Sequence, residues 1–203
     1  MTEIRTARPA DIPALTALHV QAFPGFFITR LGPRFVAELY RGFIDHPDAI
    51  CHVACENGIP VGVVAGPLRP EKFFGELLRS RGIRFAIAAV PGLLRDPWNV
   101  GRRLLVAPFY RGEAPPRRDR AALVSTICVS PAVRGGGVST ALLEAFCIMA
   151  AARGARCVYL TTDRNSNERV NSFYLRAGFA LESELQRSGG RVMNRYLKDL
   201  GQT

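Results

Sequence analysis

Arg134 is followed by three glycines, Gly135, Gly136 and Gly137, and then by Val138, Ser139 and Thr140 at the head of an apolar-periodic stretch. That order of residue types suits an anion. Consecutive glycines let the backbone turn tightly and approach a ligand with no side chain in the way. A helix that starts directly after them leaves its first N–H groups pointing outward without intrahelical partners. The helix dipole adds partial positive charge at the same place, and Arg134 adds a full one. Together they make a site suited to a pyrophosphate.

Two familiar nucleotide loops do not fit these residues. A Walker loop needs a Lys after its last Gly, and none is present. In a G-x-G-x-x-G fingerprint Gly135 and Gly137 would fit, but Thr140 stands at the third position, and no early βαβ unit surrounds the loop.

The run from Arg134 to Ser139 resembles the R/Q-x-x-G-x-G/A signature of the GNAT acetyltransferase superfamily, with Ser139 where Gly or Ala is usual. The strand before it, Pro131 and the following ALLEAF helix also resemble that motif. A second run, from Asn167 through Tyr174 to Gly178 and Phe179, resembles the family's N-x-x-A-x-x-x-Y-x-x-x-G-F pattern, with Val170 in place of Ala. Asn167 and Tyr174 are seven residues apart, on one helix face.

The resemblance implies an enzyme, an N-acetyltransferase that moves an acetyl group from acetyl-CoA to a primary amine by direct attack. It implies that amides from Gly135 to Thr140 hold the pyrophosphate. In the family fold adjacent parallel strands splay apart beside this loop, and in that cleft the backbone of Ile127, Cys128 and Val129 would bind the pantetheine arm and polarise the acetyl carbonyl. Asn167 would hydrogen-bond the same arm, and Tyr174 would protonate the leaving thiolate. A phenol suits that role, because its ordinary pKa near 10 keeps the proton available at neutral pH. No base is assigned. Some family members carry a Glu five residues before the Asn, where this chain has Thr162, and Asp163, His19 and His52 are the other titratable candidates. The missing Glu keeps a second class open, a non-catalytic GNAT-like module that binds an acyl-CoA or an anionic polymer. The acceptor could be a small molecule or a peptide, and a homodimer would be in keeping with the family.

The elements that must position these residues follow from periodicity. Residues 3–8 form an opening strand, and Asp11 caps a helix with Ile12, Leu15 and Leu18 inward. A second helix covers 33–45 with Phe35, Leu39, Phe43 and Ile44 on its apolar face. Between them AFPGFFITRLG is an apolar loop that packs over something. AICHVAC and VGVVAG form a hairpin about the Asn57-Gly58 turn. From 121 the pattern is a nearly continuous strand AALVSTICV, the Gly-rich loop, a helix over 138–153, a strand over 156–162, a helix over 167–177 and a closing hairpin of 179–185 with 191–198. The fold class is α/β (mixed α+β). It has a central mixed, twisted sheet of six to seven strands flanked by helices, in a single domain over 1–203.

Composition bounds the rest. The 203 residues are 48% hydrophobic and 22% charged, which suits one packed globular domain. No apolar run is long enough to span a bilayer, and the N-terminus lacks an apolar signal-peptide core, so a cytoplasmic protein is expected. The five cysteines, with no C-x-x-C, read as buried reduced thiols. Three His, none with ligand spacing to a Cys, imply no metal. The formal charge is +10, which favours anionic partners and disfavours polycationic acceptors.

Residues 67–120 carry twelve Lys/Arg against five Asp/Glu and fall outside the minimal family pattern. They read as an insertion of one or two amphipathic helices and a Pro/Arg loop. Three roles stand: a lid on the acceptor pocket, a contact with an anionic membrane surface or lipid-linked acceptor, and a nucleic-acid surface. The last, suggested by Trp98, Phe109 and Tyr110 among arginines, is the least favoured.

Overall fold

The computed structural model describes residues 2–97, 115, 120–187 and 190–201. The chain runs β1 (Glu3–Thr6), α1 (Ile12–Ala22), α2 (Phe27–Arg30), α3 (Pro33–Asp45), β2 (Ala49–Glu56), β3 (Ile59–Pro67) and α4 (Pro70–Arg95). It continues through β4 (Ala121–Leu123), β5 (Thr126–Val129), α5 (Val138–Ala152), β6 (Cys157–Asp163), α6 (Glu168–Arg176), β7 (Ala180–Gln186) and β8 (Val192–Asp199).

The class is mixed α/β, as expected. The strands splay apart, as the resemblance implies, and the split goes far enough to divide the expected central sheet. The run AALVSTICV does not stay in one ladder. Its first part, β4, lies parallel to β6 in a sheet of order β4-β6-β8-β7. Its second part, β5, lies antiparallel to β3 in a sheet of order β1-β2-β3-β5. The expected single sheet is therefore two four-stranded sheets that part at Val124 and Ser125. The switch is fixed by hydrogen bonds: Val124 N–H donates to Tyr159 O (2.9 Å), and Ser125 N–H to Ala65 O (3.0 Å). Gly66 makes the crossing feasible, because a Cβ there would lie 1.8 Å from the Leu123 carbonyl oxygen. Beyond Leu123, β5 and β6 diverge, and a wedge opens between them.

The first sheet is covered on both faces, which is why β2 reads as an apolar run interrupted only by His52 before its final Glu56 and is buried along nearly its whole length. Leu15, Val36, Tyr40, Phe43 and Phe73 pack on one side with Val53 and Val63. Leu142, Leu143 and Phe146 of α5 pack on the other with Ala54 and Val64. The β2–β3 turn uses Asn57 and Gly58 at φ 50 and 78, the positive values a two-residue hairpin requires.

Four local expectations shift. The buried face of α3 is Val36, Tyr40 and Phe43, while Phe35, Leu39 and Ile44 are only partly covered. Asp11 does not cap α1 with its side chain. Its carboxylate instead accepts both Arg5 guanidinium nitrogens (2.8 Å each) and the Arg8 N–H (2.7 Å), closing the short turn over Pro9–Asp11. The loop after α1 contains the short α2 and buries Leu31. Within 67–120 the described residues include a single helix, of 26 residues, that runs through Pro91. Trp98, Phe109 and Tyr110 lie outside the described residues, and so does most of the Pro/Arg loop.

Candidate active site

Where β5 and β6 diverge, a cavity of about 550 Å³ lies between β5 and α6, the helix that follows β6. One wall is β5 itself, through Ile127, Cys128 and Val129. Their partners on β3 are Val64, Val63 and Gly62, so the opposite edge of β5 faces the wedge. Phe173 and Tyr174 of α6 form the facing wall, and Ala22 and Phe23 at the end of α1 contribute a third side.

At one end of the cavity lie Arg134, Gly135, Gly137, Val138, Ser139 and Thr140. Gly135 and Gly137 sit at φ 89 and 77, in the left-handed region, and a side chain at either would meet no neighbour. The backbone conformation, rather than lack of space, selects glycine there. Gly137 caps α5 without a side chain, and the first intrahelical bond is Ala141 N–H to Gly137 O (3.0 Å). The N–H groups of Val138, Ser139 and Thr140 thus stand outside the helical ladder. Gly136 behaves differently from its neighbours. Its N–H donates to Val133 O (3.3 Å), and it does not line the cavity.

Tyr174 is 6% exposed, packed among Phe173, Phe179 and Tyr196 with ring centroids 5.1, 6.0 and 5.8 Å away. Burial holds its phenol well above the ordinary tyrosine value, so it keeps its proton throughout the neutral range. Cys128 is also held protonated: burial pushes its thiol up to about 12. A thiol of that kind is no nucleophile at neutral pH. All five cysteines are buried, and none forms a disulfide among the described residues.

Asn167 lies beside the cavity rather than in its lining. Its amide nitrogen donates to Thr162 Oγ1 (2.9 Å) and to Asp163 O (3.0 Å), which ties the start of α6 to the end of β6. Thr162 is therefore engaged with Asn167. The Asp163 carboxylate is held by Arg191 at 2.5 and 2.8 Å. His19 Nδ1 meets the Tyr40 hydroxyl at 3.1 Å, and burial lowers its pKa to about 4. His52 is buried with its pKa lowered and its Nδ1 without a partner among the described residues.

Two groups of residues in or beside the cavity escaped the sequence. Arg169 and Arg176 line the cavity beside Arg134, and all three are exposed. Among the described residues no carboxylate pairs with any of them. Their spacing of seven on α6 is the signal that could have placed them on one face. The second group is polar, with Asn194 and Tyr196 buried and Asn171 half-buried. Asn171 donates to the carbonyls of Asp163, Arg164 and Asn167 at 3.1, 3.3 and 3.0 Å, and its own oxygen accepts from Tyr196 (3.0 Å) and Asn194 (3.1 Å). This network fixes the helix that carries Tyr174 against β6 and β8.

Comparison with known proteins identifies the family and the fold. The family model described as the Acetyltransferase (GNAT) family matches residues 12–179. No curated protein matches the chain. Among solved structures, a GNAT-family acetyltransferase of Desulfovibrio desulfuricans superposes with a TM-score of 0.65 at 16% identity, covering 99% of this chain and 100% of that one. An N-acetyltransferase of Staphylococcus aureus Mu50 gives 0.64 at 17% identity, with 99% of each chain covered. An aminoglycoside 6'-N-acetyltransferase complexed with coenzyme A gives 0.63 at 13% identity, with 99% of this chain and 98% of that one covered. At such identities the structural likeness is one of fold. The family itself rests on the sequence model over most of the chain: this protein belongs to the GNAT acetyltransferases.

Proposed function

We propose that the protein transfers an acetyl group from acetyl-CoA to a primary amine in a single direct step, with Tyr174 as the general acid. The observation that carries this is the position of Tyr174. Its buried, protonated side chain lines the same cavity as the β5 edge and the glycine-rich helix start. The residues present suit the thioester substrate. The free N–H groups at Val138 to Thr140 and the Arg134 guanidinium match a pyrophosphate, and Arg169 and Arg176 add cation at the same rim. The open edge of β5 matches an arm that carries amide groups.

In the step proposed, the amine nitrogen attacks the carbonyl carbon. A C–N bond forms, the C–S bond breaks, and the thiolate takes the Tyr174 proton. The proton lost by the amine returns to the phenolate through water. Direct transfer is favoured over a cysteine-bound intermediate, because Cys128 stays a thiol at neutral pH. No side-chain base is proposed, because Thr162 and Asp163 are held by Asn167 and Arg191. The formal charge of +10 disfavours a polycationic acceptor and favours an amine on a neutral or anionic carrier.

Release of free CoA thiol from acetyl-CoA across a panel of amines tests this reading. Amine-dependent release supports it. Saturable acetyl-CoA binding with no release for any amine would support the binding-module alternative instead.

A further inference from the structure

The outward face of α4 changes character halfway along the helix. Its first half presents Lys72, Glu76 and Arg79, as a solvated helix should. From residue 83 onward the same face presents Ile83, Ile87, Val90 and Leu94, which are 79%, 65%, 46% and 78% exposed. Their spacing of four, three and four places them in one row of about three turns, about 16 Å long. The opposite face needs no such residues, since Phe85, Ala88, Ala89 and Gly92 already bury α4 against the domain. Gly92 sits so close to Leu31 that a Cβ would lie 2.7 Å from its Cα, so the helix cannot roll to hide the row. Isolated exposed apolar residues are ordinary, but a contiguous row on a fixed helix marks a contact surface.

We propose that this row docks on an anionic lipid bilayer, lying in the interface and not crossing it. None of the described helices is long and apolar enough to span a membrane. The charges around the row select the occupant. Arg79, Arg84 and Arg95 are exposed on or beside it, and between Glu76 and Asp96 the sequence holds no acidic residue. Long basic side chains flanking an apolar strip are what an anionic interface takes up. A second copy is a poorer fit. Parallel or antiparallel, self-pairing of the row brings arginines to arginines, on chains that each carry a formal +10. The face of α4 opposite the row ties the helix to the cavity wall. Phe23 of the cavity wall leads into α2 and Leu31, against which the end of α4 packs.

Vesicle co-sedimentation of the whole protein decides the matter and does not depend on acetyl transfer. The expected result is partition at least tenfold stronger to phosphatidylglycerol-containing vesicles than to pure phosphatidylcholine at low salt. The pair Ile87→Glu and Leu94→Glu should remove most of it while the thermal melt stays unchanged. Should that pair not fold, the charge reversals Arg79→Glu and Arg95→Glu should abolish the anionic preference. The proposal is overturned by absence of vesicle binding at low salt, as when another part of the chain covers the row. Equal binding by the glutamate variants also overturns it, as does a dimer in sedimentation equilibrium that those variants dissociate.

Discussion

The Tyr196 hydroxyl donates to Asn171 Oδ1 across 3.0 Å, joining β8 to the helix that carries Tyr174. Asn194 donates to the same oxygen at 3.1 Å, and the Asn171 amide reaches three carbonyls at the junction of β6 and α6. Asn171→Ala leaves these groups without their partner. The expected cost is about 1–3 kcal/mol by chemical denaturation. Turnover should fall as well, because Tyr174 loses the support that holds its helix.

Tyr174→Phe keeps the ring packing and removes the proton. The kcat should drop about 10²- to 10⁴-fold, the usual worth of a positioned acid. Acetyl-CoA affinity by calorimetry should stay within a factor of two or so, since the hydroxyl meets the thioester only as it breaks. An unaltered kcat would remove Tyr174 from the mechanism.

Arg134→Ala should weaken acetyl-CoA binding about tenfold, or ~1.4 kcal/mol, and reduce its salt dependence. Gly137→Ala is a separate probe. At φ 77 a Cβ costs about 1–2 kcal/mol, felt at the start of α5 rather than as a clash. Loss of affinity in both variants, measured by titration, would place the pyrophosphate at this helix start.

His19 makes stability depend on pH. Its pKa is lowered to about 4 by burial, against about 6.5 in an unfolded chain. Above pH 6.5 both states are neutral and stability is complete. As pH falls toward 4 the unfolded chain gains a proton that the folded one refuses, and up to about 3 kcal/mol is lost. His19→Gln, which does not titrate, should flatten the denaturation midpoint over that window.

The two motifs could be read from the sequence because their chemistry is local. A glycine run before a helix, and a Tyr two turns after an Asn, are set by neighbours in the chain. The parting of the sheets is not local. Val124 and Ser125 have no turn signal, and the break is decided by Gly66 lying against the Leu123 carbonyl, far away in sequence. Asn171, Asn194 and Tyr196 escaped for the same reason, since each looks like an ordinary polar residue until β8 pairs with β6. The length of α4 was obscured by Gly82 and Pro91, which punctuate helices in most settings but are tolerated here because its inner face is well packed. Arg169 and Arg176 read as solvated charges because nothing in the chain says that a cavity opens beside them.

The wedge has a bearing on how the protein behaves in concentrated solution. β5 ends one ladder in mid-molecule, and bare strand edges recruit strands from other copies. Here that edge is recessed under α6 and walled by Phe23 and Phe173, so only a narrow, flexible chain can reach it. That recess keeps out a whole β-strand, and the fold gains resistance to aggregation from the shape of its cavity.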